Sequence, residues 1–366
     1  MRGQRAWPAS VRSAPAPRPT GWEGEAIAAP SDQSMLATAI SRRSFVAGAG
    51  GVTLAVALGG FLLRRSFSRT LDADSAQACT LAPSAIGDGN EQRGVNISFS
   101  RQGSGPPLLL LHCAGLSRRV WGPVVETLAE RYDVLIPDLP GFGQSPPLRA
   151  TPDIAGLTDA VASWLRDIGV ERPHVVGNSL GGGIALELGF RGAARSVIAL
   201  SPIGFWNTVE SAYSRVMIDA TYALIRWVPL LASMIAKGGK RPLFLALFFA
   251  QPDDLPADDV RCAVEDLLRS QALLDTVAAC SSYRVHEHQT DIPMTIAWGA
   301  DDRLLVGPQH LRARRILPGA THILLPGCGH VCMADDPDLV AATIDKAVSA
   351  AAAPVGSALT RSLRSR

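Results

Sequence analysis

The sequence PHVVGNSLGGGIAL, residues 173–186, contains the most specific motif of the chain. An apolar run ends at Gly177, and small and apolar residues follow Gly181, which is typical of a buried strand, a sharp turn and a helix. The turn fits the G-x-S-x-G nucleophile elbow, in which a strained backbone lifts the serine hydroxyl above the sheet. Ser179 is therefore the predicted nucleophile. Because a serine hydroxyl is weakly nucleophilic by itself, the elbow also predicts a histidine and a carboxylate elsewhere.

Apolar runs separated by helical patterns continue on both sides of the elbow. This alternation predicts a mostly parallel sheet covered by helices, with the ligand site at the carboxyl ends of the strands. The predicted strands comprise residues 107–112, 133–137, 173–176, 196–200, 294–298 and 322–326.

Four further motifs resemble those of the α/β-hydrolase superfamily and occur in the same order. HCAG at residues 112–115 resembles the His-Gly turn, and DLPGFGQS at 138–145 resembles the D-x-x-G-x-G-x-S loop. WGADD at 298–302 resembles the W-G-x-x-D segment, and GCGH at 327–330 resembles the G-x-G-H segment. The resemblance implies an α/β-hydrolase domain over residues 90–352. It also implies a mostly parallel central sheet flanked by helices, and a helical cap inserted at about residues 205–291.

The spacing of the W-G-x-x-D segment selects Asp302 as the acid, with Asp301 as the adjacent alternative. The superfamily can instead carry its acid after the strand that ends here at Leu200. That position reads SPIG, and no carboxylate follows before Glu210. We therefore expect Asp302 to act on the histidine.

The base is predicted to be His330, because it lies on a glycine-rich loop directly after the last strand. His112 belongs to the His-Gly turn, and we expect it to hold that loop in place. The remaining five histidines fall in predicted strands, in a helix or in the cap. They are His174, His286, His288, His310 and His322.

The resemblance implies a serine hydrolase with Ser179, His330 and Asp302 as its triad. It also implies an oxyanion hole formed by the backbone N–H groups of Leu180 and Ala114. Cys113 stands where the superfamily usually has glycine, and its Cβ would clash if the turn required a positive φ there. No metal and no organic cofactor is expected.

The apolar segments Tyr222–Ile235 and Leu243–Phe249 lie in the predicted cap. They fit an apolar acyl pocket above Ser179 and equally well the core of the cap itself. The leading function is hydrolysis of a carboxylic ester, with an apolar small-molecule ester as substrate. A carbon–carbon bond hydrolase of ring-cleavage products and a cofactor-free haloperoxidase are the alternatives. Epoxide hydrolases and dehalogenases use aspartate as nucleophile, so Ser179 argues against both.

The amino-terminal region resembles a bacterial twin-arginine export signal over residues 41–78. SRRSFV at residues 41–46 precedes an uncharged stretch from Phe45 to Leu63. That stretch is long for a signal peptide but sufficient to span a bilayer as an uncleaved anchor. We expect an exported or cell-envelope protein, with membrane association if the segment is retained. Residues 1–40 and the basic tail at residues 353–366 are expected to be disordered.

The charge and the cysteine content of the chain bear on its possible partners, disulfides and metal sites. The chain has 35 basic and 33 acidic residues, a net charge of +2, so no nucleic-acid partner is expected. After export, its six cysteines could form disulfides at Cys262–Cys280 or Cys328–Cys332, although free buried thiols are the default. Their spacing does not match a zinc site.

Overall fold

A computed structural model describes residues 96–227 and 243–352 of the chain. The predicted leader, the twin-arginine-like segment and the basic tail lie outside these residues. Within them, no helix combines the length and apolarity needed to cross a membrane.

The core is a seven-stranded sheet in the order β1-β3-β2-β4-β5-β6-β7. Only β1 is antiparallel to its neighbour, and the other six strands run parallel. The strands are β1 (Phe99–Gln102), β2 (Pro107–Leu111), β3 (Asp133–Pro137), β4 (His174–Asn178), β5 (Ser196–Leu200), β6 (Met294–Gly299) and β7 (Thr321–Leu325). All six strands predicted from the apolar runs are present, with bounds that differ by at most two residues.

Helices follow the strands and cover the sheet on both faces. They are α1 (Gly122–Ala129), α2 (Ile154–Asp167), α3 (Leu180–Phe190), α4 (Thr208–Trp227), α5 (Ala257–Arg269), α6 (Leu273–Cys280), α7 (Gln309–Ile316), α8 (Cys332–Asp335) and α9 (Pro337–Ala352). Short 3-10 helices lie at Arg118–Trp121, Leu243–Leu247 and Pro252–Asp254.

The continuous apolar runs are explained by burial on both faces of the sheet. Successive residues of a strand point to opposite faces, so Leu109 and Leu111 of β2 join one apolar cluster and Leu108 and Leu110 join the other. All four side chains are fully buried. Burying one such side chain contributes roughly 1.5–3 kcal/mol, and a strand with a polar face would lose this on one side.

Within the described residues, the insertion between β5 and β6 is largely helical. It contains α4, α5, α6 and the two 3-10 helices at 243–247 and 252–254. Residues 228–242, which include residues 228–235 of the first apolar segment, lie outside the described residues. The cap is attached to the loops that follow β6 and β7, and these loops carry the predicted acid and base.

Candidate active site

Ser179 lies between β4 and α3 in a strained backbone conformation. Its φ is 56° and its ψ is −111°, a combination that is costly for a residue with a side chain. The flanking glycines are required by close backbone contacts. A Cβ on Gly177 would lie 2.0 Å from the carbonyl oxygen of Gly181, and a Cβ on Gly181 would lie 2.3 Å from that of Leu111. The geometry of the elbow therefore matches the sequence motif.

His330 and Asp302 form a buried pair at the same edge of the sheet. His330 Nδ1 lies 2.9 Å from Asp302 Oδ2, and the two side chains are 2% and 1% exposed. The other carboxylate oxygen, Oδ1, accepts the backbone N–H groups of Leu304 and Leu305, each at 2.9 Å. Asp301 is exposed, so the pairing selects Asp302 of the two adjacent carboxylates. With Nδ1 engaged, Nε2 of His330 is the nitrogen left for a substrate or for Ser179.

The backbone of the His330 loop is held by Asn178, a residue to which the sequence motifs assigned no role. The Asn178 side-chain amide donates to the carbonyl oxygen of His330 at 2.9 Å and to that of Leu200 at 3.1 Å. Asn178 directly precedes the nucleophile, so one short segment positions both Ser179 and the histidine loop. Its only sequence signal was a polar amide inside an otherwise apolar strand end.

A second carboxylate, that of the half-buried Asp335, connects the same loop to the cap. It accepts the backbone N–H of Gly329 at 2.7 Å and that of Ala250 at 3.0 Å. Val331 N–H donates to the carbonyl oxygen of Phe248 nearby. Burial raises the pKa of Asp335, which these backbone donors partly offset. The segment around Phe248 is therefore fixed directly against the histidine loop.

The His-Gly turn is held by hydrogen bonds to both ring nitrogens of His112. Nε2 accepts the backbone N–H of Leu139 at 2.8 Å, so Nδ1 carries the proton and donates to the Cys113 carbonyl oxygen at 2.8 Å. Burial lowers the pKa of His112, which favours this neutral form. Because a trans peptide is planar, fixing the Cys113 carbonyl also fixes the Ala114 N–H in the opposite direction. His112 thus orients the Ala114 N–H that the resemblance assigns to the oxyanion hole.

The clash anticipated at Cys113 does not arise. Among the described residues, the non-glycine positions with positive φ are Arg172, Ser179 and Ser201, and the turn places its positive φ of 83° at Gly115. The side chain of Cys113 is buried, and burial raises the pKa of its thiol to about 12. The thiol is therefore neutral near pH 7, which argues against Cys113 as an independent nucleophile.

Neither of the anticipated disulfides is formed. Cys280, Cys328 and Cys332 are free buried thiols, so both the Cys262–Cys280 and the Cys328–Cys332 pairings are wrong. Burial raises the pKa of Cys280 and of Cys328 to about 12. These three side chains behave as small apolar residues of the core.

The D-x-x-G-x-G-x-S loop supports the site without entering it. The Asp138 carboxylate accepts the backbone N–H of Arg118 at 2.8 Å, that of Gln144 at 2.9 Å and the Arg118 guanidinium at 2.7 Å. Ser145 Oγ donates to the backbone carbonyl of Asp138 at 2.8 Å. Leu139, which donates to His112, is thereby held by the hydrogen bonds on either side of it.

A second serine–histidine contact lies at the opposite edge of the sheet. His174 Nδ1 is 2.7 Å from Ser196 Oγ, and both side chains are buried. These residues begin β4 and β5, whereas Ser179 follows the carboxyl end of β4. Burial lowers the pKa of His174 to about 4, so the imidazole is neutral. We interpret this contact as part of the sheet packing.

Two cavities adjoin Ser179 beneath the cap. The larger encloses about 660 Å³, including solvent at its mouth, and also reaches His330. Its wall is otherwise mainly apolar and includes Ile225, Leu245, Phe248, Phe249, Val264 and Leu267. The smaller encloses about 430 Å³ and has a more mixed wall, which includes Trp206, Ser211, Ser214, Arg215 and Thr276. Both predicted apolar segments of the cap thus contribute side chains to the larger cavity.

No cluster of three or more potential metal ligands occurs within the parts of the chain that the structure describes.

Comparison with known proteins places this geometry in a family. Residues 108–343 match the α/β-hydrolase family, so the chain belongs to it. An uncharacterised protein of Mycobacterium tuberculosis is 30% identical over 259 residues, covering 67% of this chain and 75% of its own. An epoxide hydrolase of the same organism is 31% identical over 195 residues, covering 50% and 89%. A bacterial membrane phospholipase A shares the fold with a TM-score of 0.57 and 25% identity, covering 70% and 83%.

Proposed function

We propose that the chain hydrolyses a carboxylic ester through an acyl-enzyme formed on Ser179. The observation that carries this proposal is the buried His330–Asp302 pair, in which His330 lines the same cavity as Ser179. A nucleophile, a base and a group that orients the base are the three parts that acyl transfer requires.

Each residue of the site has a distinct role in the proposed reaction. His330 Nε2 takes the proton of the Ser179 hydroxyl as its oxygen attacks the carbonyl carbon. Asp302 keeps the proton of the ring on Nδ1 and stabilises the imidazolium that forms. The N–H groups of Leu180 and Ala114 hold the negative oxygen of the tetrahedral intermediate, where losing one donor typically costs about 3 kcal/mol. His330 then protonates the leaving oxygen, and water resolves the acyl-enzyme by the same steps in reverse.

The wall of the larger cavity supports an ester with an apolar part. Burying one methylene contributes up to about 0.8 kcal/mol, so each added carbon that enters the cavity raises kcat/KM by up to about fourfold. The similarity to a phospholipase A is consistent with ester chemistry. The similarity to an epoxide hydrolase carries less weight here, because Ser179 occupies the position where those enzymes use aspartate.

A fluorophosphonate probe tests the mechanism directly. We expect stoichiometric labelling of the wild type at Ser179, and loss of both labelling and p-nitrophenyl ester hydrolysis in Ser179→Ala. Ser196→Ala is the matched control, since Ser196 is a buried serine that contacts a histidine at the other edge of the sheet. Labelling that persists in Ser179→Ala, or that disappears in Ser196→Ala, would refute the assignment. A labelled Ser179 without activity on any ester would instead favour a carbon–carbon bond hydrolase.

We further propose that the protein is exported or held in the bacterial cell envelope. The proposal rests on the twin arginine at Arg42 and Arg43 and on the uncharged stretch that follows.

A further inference from the structure

One buried carboxylate of the cap is bonded to the turn that is expected to carry the oxyanion hole. Asp266 lies on α5 and is buried. Its Oδ2 accepts the Ser117 hydroxyl at 2.6 Å, and its Oδ1 accepts the guanidinium of Arg119. Ser117 follows Ala114 by three residues at the end of the His-Gly turn, and Arg119 lies in the adjacent 3-10 helix. The cap is thus attached to this turn as well as to the loops of the acid and the base.

The end of the turn is held from two sides. Arg118 donates its backbone N–H and its guanidinium to Asp138 of the D-x-x-G-x-G-x-S loop, at 2.8 and 2.7 Å. Its two neighbours, Ser117 and Arg119, donate instead to Asp266 of the cap. The position of this segment therefore depends on both carboxylates, one from the sheet domain and one from the inserted cap.

The backbone of the turn is also packed directly against the cap. Gly115 has a φ of 83°, and a Cβ placed on it would lie 2.8 Å from Leu267 Cδ1 on α5. The neighbouring loop meets the cap in a similar way, because the carbonyl oxygen of Gly141 accepts the backbone N–H of Ala272 at 3.2 Å. The residues that follow Ala114 are thus confined on the side of the cap.

The contacts of Asp266 depend on its negative charge. Burial raises the pKa of Asp266, and the hydrogen bonds from Arg119 and Ser117 oppose this rise. Removing one partner of a buried ion pair leaves the other charge uncompensated, which is strongly unfavourable. Without Asp266, the nearest carboxylate to Arg119 would be that of Glu265, whose Oε2 lies 3.6 Å from the guanidinium. We then expect Arg119 to shift toward Glu265 and to displace the end of the turn.

We infer that Asp266 is a positioning residue for the proposed ester hydrolysis. It lines neither of the two cavities beside Ser179, but it holds one end of the turn, while His112 holds the other end through the Cys113 carbonyl. The Ala114 N–H lies between these two supports, and its direction determines how well it stabilises the negative oxygen. This inference rests on the proposed function and adds to it that the cap contributes to the chemical step.

The kinetics of Asp266→Ala test the inference. The concentration of active enzyme is taken from complete labelling by the fluorophosphonate probe, so unfolded protein is not counted. A misplacement of about 1 Å can cost roughly 10²-fold, so kcat per labelled site for p-nitrophenyl hexanoate should fall by about 10- to 100-fold. KM should stay nearly unchanged, because the oxyanion forms in the transition states and not in the bound substrate.

An inhibitor that forms the oxyanion gives a second measurement. A trifluoromethyl ketone adds to Ser179 and places a negative oxygen in the oxyanion hole. Its affinity for Asp266→Ala should therefore fall by the same factor as kcat. A variant that merely folds less well would show neither change once the rates are referred to labelled sites.

Two further variants complete the test. Ser117→Ala removes one hydrogen bond and leaves the pair of Arg119 and Asp266 intact, so we expect it to fold and to lower kcat and inhibitor affinity by one smaller, common factor. The matched control is Glu210→Ala. Glu210 joins the cap to α7 through Arg312 at 2.8 Å, and its side chain is 11% exposed, against 7% for Asp266. The control should lower thermal stability and leave kcat per labelled site and inhibitor affinity unchanged.

The outcomes separate this inference from the proposed function. If the wild type is labelled at Ser179 and cleaves hexanoate, but Ser117→Ala keeps wild-type kcat and inhibitor affinity, the inference is wrong and ester hydrolysis stands. A raised KM with unchanged kcat in Asp266→Ala would also overturn it, because Asp266 would then only shape the cavity wall to which α5 contributes. An equal loss of kcat in Glu210→Ala would overturn it too, since any weakening of the cap would suffice. If Ser179→Ala still cleaves hexanoate at the wild-type rate, the proposed function itself fails.

Discussion

Replacing Asp302 by asparagine should inactivate the enzyme through the tautomer of His330. Asp302 Oδ1 accepts two backbone N–H groups, those of Leu304 and Leu305, while Oδ2 faces His330 Nδ1. Turning the amide nitrogen toward the two N–H groups would lose two hydrogen bonds to the amide oxygen, each worth about 0.5–1.5 kcal/mol, and would leave both N–H groups facing another donor. The asparagine therefore keeps its oxygen on the backbone and presents its NH₂ to His330.

In that orientation His330 must accept at Nδ1, so its proton moves to Nε2. A histidine protonated at Nε2 cannot take the Ser179 proton, and the wrong tautomer typically lowers kcat by roughly 10⁴-fold, about 5.4 kcal/mol. The assay is kcat for p-nitrophenyl ester hydrolysis, with thermal unfolding measured to verify that the variant is folded. Asp301→Asn is the matched control, because Asp301 is the exposed neighbour, and it should retain near wild-type kcat. A folded Asp302→Asn variant with more than about a tenth of wild-type kcat would refute the role of Asp302.

Three further predictions concern folding, acid stability and export. Gly177→Ala should prevent folding, because its Cβ would lie 2.0 Å from a backbone oxygen. The control Gly122→Ala should fold normally, because its Cβ would meet nothing within 4 Å, and circular dichroism of the purified variants compares the two. His174 should destabilise the protein in acid, because its pKa of about 4 in the folded state lies below the ordinary value of 6.5. Between these two pH values the unfolded state binds more protons than the folded state, so the free energy of unfolding falls as the pH drops through this window. Between pH 7 and pH 4.5 the wild type should lose up to about 2 kcal/mol more free energy of unfolding than His174→Gln in urea titrations, and equal losses would contradict this. Changing Arg42 and Arg43 together to lysine should block export in a bacterial host, measured by cell fractionation, and unchanged export would indicate the general secretory route or an anchor.

The sheet could be predicted from the sequence because its strands are buried on both faces. Burial makes each strand a continuous apolar run, and such a run is visible without knowledge of its neighbours. The elbow was visible because it is encoded in a short motif, and Gly177 is required by a contact with Gly181, four residues along the chain. The predictions for the leader and for Arg42 and Arg43 concern residues that the structure does not describe, and they stay predictions.

The cysteine pairings could not be predicted, because a disulfide depends on the distance and orientation of the two Cβ atoms, which the spacing along the chain does not give. Cys328 and Cys332 are close in sequence and still remain free buried thiols. The expected clash at Cys113 also failed for a structural reason, as the turn places its positive φ two residues later at Gly115.

By itself, the sequence determined the family, the position of Ser179 on a strained turn and the loops that carry Asp302 and His330, because each is encoded by a short local motif. Only the tertiary structure decided that Asp302, rather than Asp301, pairs with His330, and that Asn178 holds the His330 carbonyl from 152 residues away. It also divided the space beneath the cap into two cavities. The two contacts of His330 depend on how loops at one edge of the sheet meet, and the cavities depend on how helices of the cap pack against those loops. Such contacts between distant segments leave no periodic pattern along the chain.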